Sequence, residues 1–463
     1  MFIGRKIELE QMNRRYRSDK FQFVVMYGRR RVGKTFLLTE FIRDKKAIYF
    51  AAEQYNEKLL LEKFSAEILA VCPSNLFQKF DSFEQAIRYL AERAADERLI
   101  LIIDEFQYWA QQNKALISQL QNLIDQLLLH TKLYLVLCGS YVSFMESEVL
   151  GYQSPLYGRR TAEFKLDPFH YKEAAEMLPG YDSIQMMQAY GVLGGMPMYL
   201  AQFDDVLSLK ENIIDTVVAK GGLLHNEPLF ALKQELRDPA LYFSIIESIA
   251  RGSSRYNEIC TKVGVDCGAQ LHALIQLGIV KKELPLGSPK TARKAIYKLQ
   301  DNLFSFWFRF MSEGNLLIEQ GKYELMYDRI IQPDLSNYMG HTYEDICIDL
   351  LAQANAEELL PTLFLQIGRW WGNHPKKRQE IEIDIMAKDA DDTLLVGECK
   401  WRNAPVDLPI LLNLIEKADM FPQGKKYYLL CSKSGYKTSL LEYGKKLGNV
   451  LILDTDTLEF KLC

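Results

Sequence analysis

Residues 21–42 read FQFVVMYGRRRVGKTFLLTEFI: an apolar run, a glycine-bounded loop, and a segment with apolar residues at 37, 38, 41 and 42. The loop Gly28-Arg29-Arg30-Arg31-Val32-Gly33-Lys34-Thr35 has the form G-x-x-x-x-G-K-[ST]. In the order strand, loop, helix, the glycines let successive backbone N–H groups curl towards an anion at a helix N-terminus. Lys34 is then expected to reach the β- and γ-phosphates of a nucleoside triphosphate, and the Thr35 hydroxyl to sit on Mg²⁺. Arg29, Arg30 and Arg31 fill the variable positions, where they face solvent or add to the field around the phosphates.

The apolar run 99–103 ends in Asp104-Glu105, which puts two carboxylates at the C-terminal tip of a buried strand, where parallel sheets bind ligands. Asp104 is expected to hold Mg²⁺ through its water shell and Glu105 to polarise the attacking water. The next apolar run, 133–138, ends at Gly139-Ser140, so the Ser140 hydroxyl is a candidate sensor of the γ-phosphate. In the YGRR stretch at 157–160, Arg159 and Arg160 offer guanidinium groups for charge on a transferred phosphoryl, in cis or from a neighbouring subunit. A surface ion-pair role is equally open for both.

Working outward, strand-like runs at 21–27, 47–51, 99–103 and 133–138 alternate with amphipathic stretches, which predicts an α/β parallel sheet over residues 1–169. Residues 170–238 read as a helical lid broken by Gly-Gly-Met-Pro at 194–197. In 239–302, three short helical patterns precede strand-like runs at 279–284 and 295–299, the order of a winged helix-turn-helix. A helical connector, 303–338, leads into a second α/β domain at 339–463, with strands at 379–387, 393–401, 426–431 and 450–453.

The recognition-helix segment 268–277 carries Gln270, His272 and Gln276 but no lysine or arginine, so base-specific reading is weak. The following hairpin carries Lys281, Lys282, Lys290, Arg293, Lys294 and Lys298, a patch suited to DNA phosphates. A module that packs as a structural or partner-binding element, its lysines merely solvated, fits the sequence equally well.

The strands around Lys388-Asp389-Ala390-Asp391-Asp392 predict a β-hairpin. If it is symmetric about Asp391, Asp384 lies opposite Glu398, and Asp384, Glu398 and Lys400 share one face. Two carboxylates so placed repel unless a cation or proton stands between them, and a divalent metal resolves the conflict. A solvated charged strand face is the alternative. Trp370, Trp371 and Trp401 are candidates for base stacking, although aromatic residues beside a sheet are more often core.

A net charge of −4 and a pI near 6.0 exclude attraction of the whole chain to nucleic acid, leaving only local patches. The eight cysteines are scattered with no CxxC pair, as expected of free thiols in a reducing compartment. The start, MFIGRKIELEQ, lacks a leader pattern, and no run approaches the ~20 apolar residues of a membrane span, so cytoplasmic residence without membrane contact is expected.

Phe2-Ile3-Gly4-Arg5, GRRRVGKT, LIIDEF at 101–106, CGS at 138–140, YGRR and GGMP together resemble the archaeal-type AAA+-like ATPases, relatives of the signal-transduction ATPases with numerous domains, over nearly the whole chain. The resemblance implies binding and Mg²⁺-dependent hydrolysis of ATP to ADP, Arg5 near the base, Pro197 approaching the adenine, and a possible homo-oligomer. The lid shows no second sensor arginine. The stretch EIDIMAKDADDTLLVGECKW at 382–401 is similar to the PD-(D/E)xK restriction-endonuclease-like domain of that family. That implies a further acid from a preceding helix, matched by Glu344, although Ile383 stands where proline usually precedes the first acid. The expectation is an ATPase coupled to DNA binding and metal-dependent DNA cleavage; the alternative is an ATP-governed switch whose last domain only binds nucleic acid or a protein.

Overall fold

The structure, a computed structural model, describes residues 2–236, 238–289, 292, 294–374 and 379–463. The chain divides into two compact units, Met1–Pro168 and Phe169–Cys463.

In the first unit β1 (Gln22–Tyr27), β2 (Ala47–Ala51), β3 (Leu99–Asp104), β4 (Leu133–Gly139) and β5 (Ala162–Lys165) form one parallel sheet in the order β2-β3-β4-β1-β5. Every residue of β1, β3 and β4 is buried, which explains their unbroken apolar sequences: central parallel strands are covered on both faces. β5 is an edge strand whose AEFK alternates buried and exposed, too short and too polar to register as an apolar run. Beside the sheet, Trp109 packs edge-to-face on Phe50, Phe64 and Phe83, and Phe50 on Phe64, with centroids 5.0–5.3 Å apart, while Phe64 stacks on Phe83 at 6.0 Å; Trp109 is fully buried.

The second unit opens with helices, including Ser183–Leu193, Pro197–Leu200 and Glu227–Glu235. Helices Ala240–Ala250, Tyr256–Val263 and Gly268–Gln276 then lead into the antiparallel pair β6 (Val280–Glu283) and β7 (Ile296–Leu299). The core of these elements, built on Ile245, Ile259, Leu271 and Leu274, also takes in Leu232 from the preceding helix and Phe304 and Phe308 from the following one. The helix Gln332–Ala356 buries Leu335, Tyr338, Met339, Tyr343, Ile346 and Cys347 along its length. It therefore runs straight through the expected boundary at residues 338 and 339, because nothing in its sequence interrupts the apolar stripe.

A six-stranded mixed sheet completes the unit: β8 (Gln366–Asn373), β9 (Glu380–Lys388), β10 (Leu394–Lys400), β11 (Lys426–Ser432), β12 (Val450–Asp454) and β13 (Glu459–Leu462), ordered β13-β12-β11-β10-β9-β8. β9 and β10 pair from Leu394 opposite Lys388 to Gly397 opposite Ile385, the ladder symmetric about Asp391. Met386, Leu394 and Val396 meet Leu411 and Leu414 of the helix Leu408–Ala418 in one core. Cys399, of opposite parity along β10, turns instead towards Cys347 and Cys431, three buried thiols whose sulfurs lie within 4.8 Å of one another. Among the described residues no helix is long and apolar enough to cross a membrane.

Candidate functional site

The loop after β1 is shaped by backbone constraints that only glycine meets. A Cβ on Gly28 would stand 2.3 Å from the carbonyl oxygen of Leu166, and Gly33 caps the helix Lys34–Ile42 with φ at +95°. Lys34, the first helical residue, is buried, and its Nζ donates to the carbonyls of Gly28 at 2.8 Å and Arg29 at 2.9 Å. Burial pushes the Lys34 ammonium down from its ordinary range, while Cys138, Glu105 and Asp104 pull the other way.

Thr35 Oγ1 donates to Asp104 Oδ2 at 3.2 Å. Asp104 also accepts from the Tyr49 hydroxyl and from the Glu105 backbone N–H, the latter at 2.9 Å. A hydroxyl and a carboxylate oxygen at this spacing form the hard, all-oxygen donor pair that suits Mg²⁺. Burial, followed by the Asp104 charge, keeps the Tyr49 phenol far above its ordinary value, so it stays a donor.

Glu105 follows β3 in the left-handed region, φ +50°, which costs a non-glycine residue about 1 kcal/mol or more and aims the side chain across the sheet tip. Its Oε2 accepts from Ser140 Oγ at 2.6 Å and from Gln107 Nε2, and Gln107 Nε2 also donates to Ser140 Oγ at 3.3 Å. Ser140 thus touches the carboxylate expected to polarise water. Gln107 was not singled out in the sequence; its signal is a polar residue in an otherwise apolar first helical turn beside an acid, and it is 2 % exposed.

The remaining candidates of this unit are engaged locally. Arg5 is buried and donates to the carbonyls of Val32, at 3.3 Å, and Asp167. Arg30 Nη2 donates to the Tyr108 hydroxyl at 2.6 Å, and Arg31 takes φ +70°. Arg159 forms a bidentate pair with Asp125, both contacts 2.7 Å, and Arg160 meets Glu163 at 2.9 Å. Both arginines thus sit in ion pairs, which near the surface cost only ~0–1 kcal/mol to exchange for another anion. Pro197 belongs to the second unit, where it opens its helix.

In that unit the β6–β7 register sets Lys281 directly opposite Lys298, a like-charge pair that must be neutralised. Lys281 meets Glu283 and Asp345, each at 2.8 Å, and Lys298 lies 3.9 Å from Glu283. Both are half-buried and paired, so either would have to exchange an acid for a phosphate: the acids that hold them lie beside them on β6 or 64 residues away on a helix. Lys282 and Lys294 stay exposed, while Lys290 and Arg293 lie outside the described residues. Arg369, on β8, ties the cluster together, meeting Asp345 at 2.9 Å, Glu344 at 3.2 Å and Glu283 at 3.3 Å.

Continuing the β9–β10 ladder by one pair sets Asp384 opposite Glu398. Asp384 Oδ2 accepts from the Cys399 N–H at 2.8 Å. Glu398 is gripped by Lys400 at 2.6 Å and by Lys417, from the helix Leu408–Ala418, at 2.8 Å. Burial would raise Glu344, but His341 and Arg369 outweigh it and hold that carboxyl below its ordinary range. Asp384 goes the other way, to about 6, through burial first and then the charges of Glu398 and Glu344. Asp384, Glu344, His341, Arg369 and Lys298 line a cleft of about 440 Å³.

This opposition has a measurable sign. A carboxyl whose folded value lies above its unfolded one, ~3.9, withdraws stability as pH rises from there through about 6. In metal-free buffer Asp384→Asn is therefore expected to melt a few degrees above the parent at pH 7.5, with the gap closing near pH 4. Equal melting points at pH 7.5 would count against the buried, unneutralised carboxyl.

Comparison with known proteins adds to this geometry. Residues 2–203 match a family described as an ATPase domain predominantly from Archaea, and residues 307–411 match one of archaeal and bacterial proteins of unknown function. The protein MJECL04 of Methanocaldococcus jannaschii is 32% identical over 411 residues, covering 87% of this chain and 88% of its own. An ATP-binding protein of the same organism, MJ0423, is 48% identical over 46 residues, 10% of this chain and 78% of its own. The solved Walker-type ATPase paby2304 of Pyrococcus abyssi, at 21% identity, superposes with a TM-score of 0.52 over 66% of this chain and 96% of its own, a likeness of fold. With the phosphate loop, the acid-tipped strand and a relative matched over most of both chains, the chain belongs to the family of ATPases found predominantly in Archaea.

Proposed function

We propose that the protein binds ATP with Mg²⁺ in the loop Gly28 to Thr35 and hydrolyses it. The observation that carries this is the convergence of Lys34, the Thr35–Asp104 pair at 3.2 Å and Glu105 at one end of a parallel sheet whose central strands are fully buried. The loop amides and Lys34 would hold the triphosphate, while Thr35 and Asp104 would hold the cation, which supplies charge neutralisation on the phosphates. Glu105 would orient and deprotonate the attacking water, Ser140 would report on the γ-phosphate, and Arg159 or Arg160 would exchange its acid partner for the phosphoryl group. Arg5 would border the base. Phosphate release from ATP, compared between the protein with Mg²⁺ and with EDTA, tests this reading: a rate equal in both contradicts it.

We read residues 239–302 as a winged helix-turn-helix and residues 339–463 as a restriction-endonuclease-like domain, together a DNA-binding half governed by ATP. Support comes from three helices followed by a hairpin, and from Asp384, Glu398, Lys400 and Glu344 gathered around one mixed sheet. Asp384 and Glu398 would hold a divalent metal for phosphodiester hydrolysis, with Lys400 beside the scissile phosphate. Among the described residues of the predicted patch, Lys282 and Lys294 are exposed and would meet DNA. A second reading, a switch that binds without cutting, is favoured by one observation: Glu398 and Glu344 already hold lysine or arginine partners. Plasmid nicking with Mg²⁺ or Mn²⁺ separates the two readings. Cutting by the parent that falls at least tenfold in Asp384→Ala and Lys400→Ala supports the nuclease; no cutting by the parent, with ATP turnover intact, supports the switch.

A further inference from the structure

Two thiols in the three-helix segment of the second unit lie closer together than packing alone requires. Cys260 stands in the last turn of the helix Tyr256–Val263 and Cys267 is the N-cap of the helix Gly268–Gln276. Their sulfurs are 2.7 Å apart. Nonbonded heavy atoms rest at about 3.5–4.0 Å, and a disulfide closes at ~2.05 Å, so the pair lies nearer to bonding than to ordinary contact.

Local structure sets this approach. Gly264 ends the first helix with φ +81°, its N–H bonded to the Cys260 carbonyl, and the chain reverses within the three residues up to Cys267. The Tyr256 hydroxyl bonds to Asp266 and ties the first helix to the turn. Cys267 is fully buried in the core of these helices, whereas Cys260 packs against that core as a partly exposed residue, so Cys260 is the member of the pair nearer to solvent. The trio Cys347, Cys399 and Cys431 offers a contrast: its sulfurs are also neighbours, but all three are buried.

We propose that Cys260 and Cys267 are a reversible thiol–disulfide pair that clamps the turn between the second and third helices of this segment. The co-reactant is a small disulfide of the glutathione class. The Cys260 thiolate attacks one of its sulfurs, forming a mixed disulfide and expelling one thiolate; Cys267, after losing its proton, then attacks the Cys260 sulfur and expels the second. Two protein thiols and one small disulfide thus become one protein disulfide and two small thiols. The clamp joins the end of one helix to the start of the next, where the segment's reading helix begins if it engages DNA.

Treatment of the folded full-length chain with oxidised glutathione, followed by alkylation, trypsin and mass spectrometry, tests the assignment. Cleavage after Lys262 separates the cysteines into peptides 256–262 and 263–281. A disulfide-linked pair of these two peptides, reversed by dithiothreitol, is the expected product, with Cys347, Cys399 and Cys431 remaining reduced. In Cys267→Ser the expected product is a stable glutathione adduct on Cys260. Alkylation of both thiols in the treated parent, or a persistent glutathione adduct on Cys260 without the linked peptides, would overturn the proposal. Because the readout is covalent and needs neither ATP nor DNA, it stands or falls separately from the nucleotide and nuclease readings.

Discussion

Replacing Lys34 with alanine is expected to weaken ATP binding about 10- to 100-fold, the loss of one or two charge-assisted hydrogen bonds worth ~1.5–3 kcal/mol, and to reduce turnover further. Lys34 is buried at the first turn of its helix with its ammonium among loop carbonyls, so the ion is already desolvated and placed before a phosphate arrives. A surface lysine would first have to shed water and order four torsions; this one has done both. Lys34→Arg is expected to fail nearly as badly, since a planar fork cannot take the place of a compact ammonium there. Fluorescent-nucleotide titration with melting curves run alongside checks the outcome: unchanged melting with unchanged affinity would remove Lys34 from the site.

Glu105→Gln is the second large effect, and it separates binding from chemistry. The amide still accepts from Ser140 and fills the same space, so affinity for ATP is expected to stay within about twofold, while hydrolysis falls about 10²–10⁴-fold, the usual worth of a positioned general base. Because Glu105 is held by Ser140 and Gln107 across the tip of β4, water activation requires those bonds to loosen or reorient. Gln107→Ala should accordingly change turnover while leaving affinity nearly intact. Single-turnover phosphate release at saturating ATP measures both, and a Glu105→Gln rate equal to the parent's would assign the base elsewhere.

What could be read in the sequence follows physical lines. β1, β3 and β4 are buried on both faces, so their apolar runs announce them, and the residues at their tips follow directly: the phosphate loop, Asp104-Glu105 and Ser140. The β9–β10 hairpin was legible because a charged turn separates two alternating strands whose symmetry fixes the register. The edge strands β5, β8 and β13 gave no such signal: one face of each is wet or the strand is short, and β8 carries Gly368 and Gly372 within QIGRWWGN. Side-chain partners far apart along the chain were the least legible. Nothing local in KKE at 281–283 says that Lys281 turns towards Asp345, or that Lys417 will cross to Glu398. Those pairings depend on how the helices pack against the sheet, and they give Lys281 and Glu398 partners that no local pattern announces.

The central claim is that a triphosphate, with its magnesium ion, seats in the loop Gly28 to Thr35 against Asp104. Calorimetric titration of the purified full-length chain with ATP, in Mg²⁺ and then in excess EDTA, tests it most directly. The expected result is saturable binding with one ATP per chain, weaker without the cation and weaker again for Asp104→Ala in Mg²⁺. A folded protein that shows no saturable heat with ATP in Mg²⁺ would contradict the account.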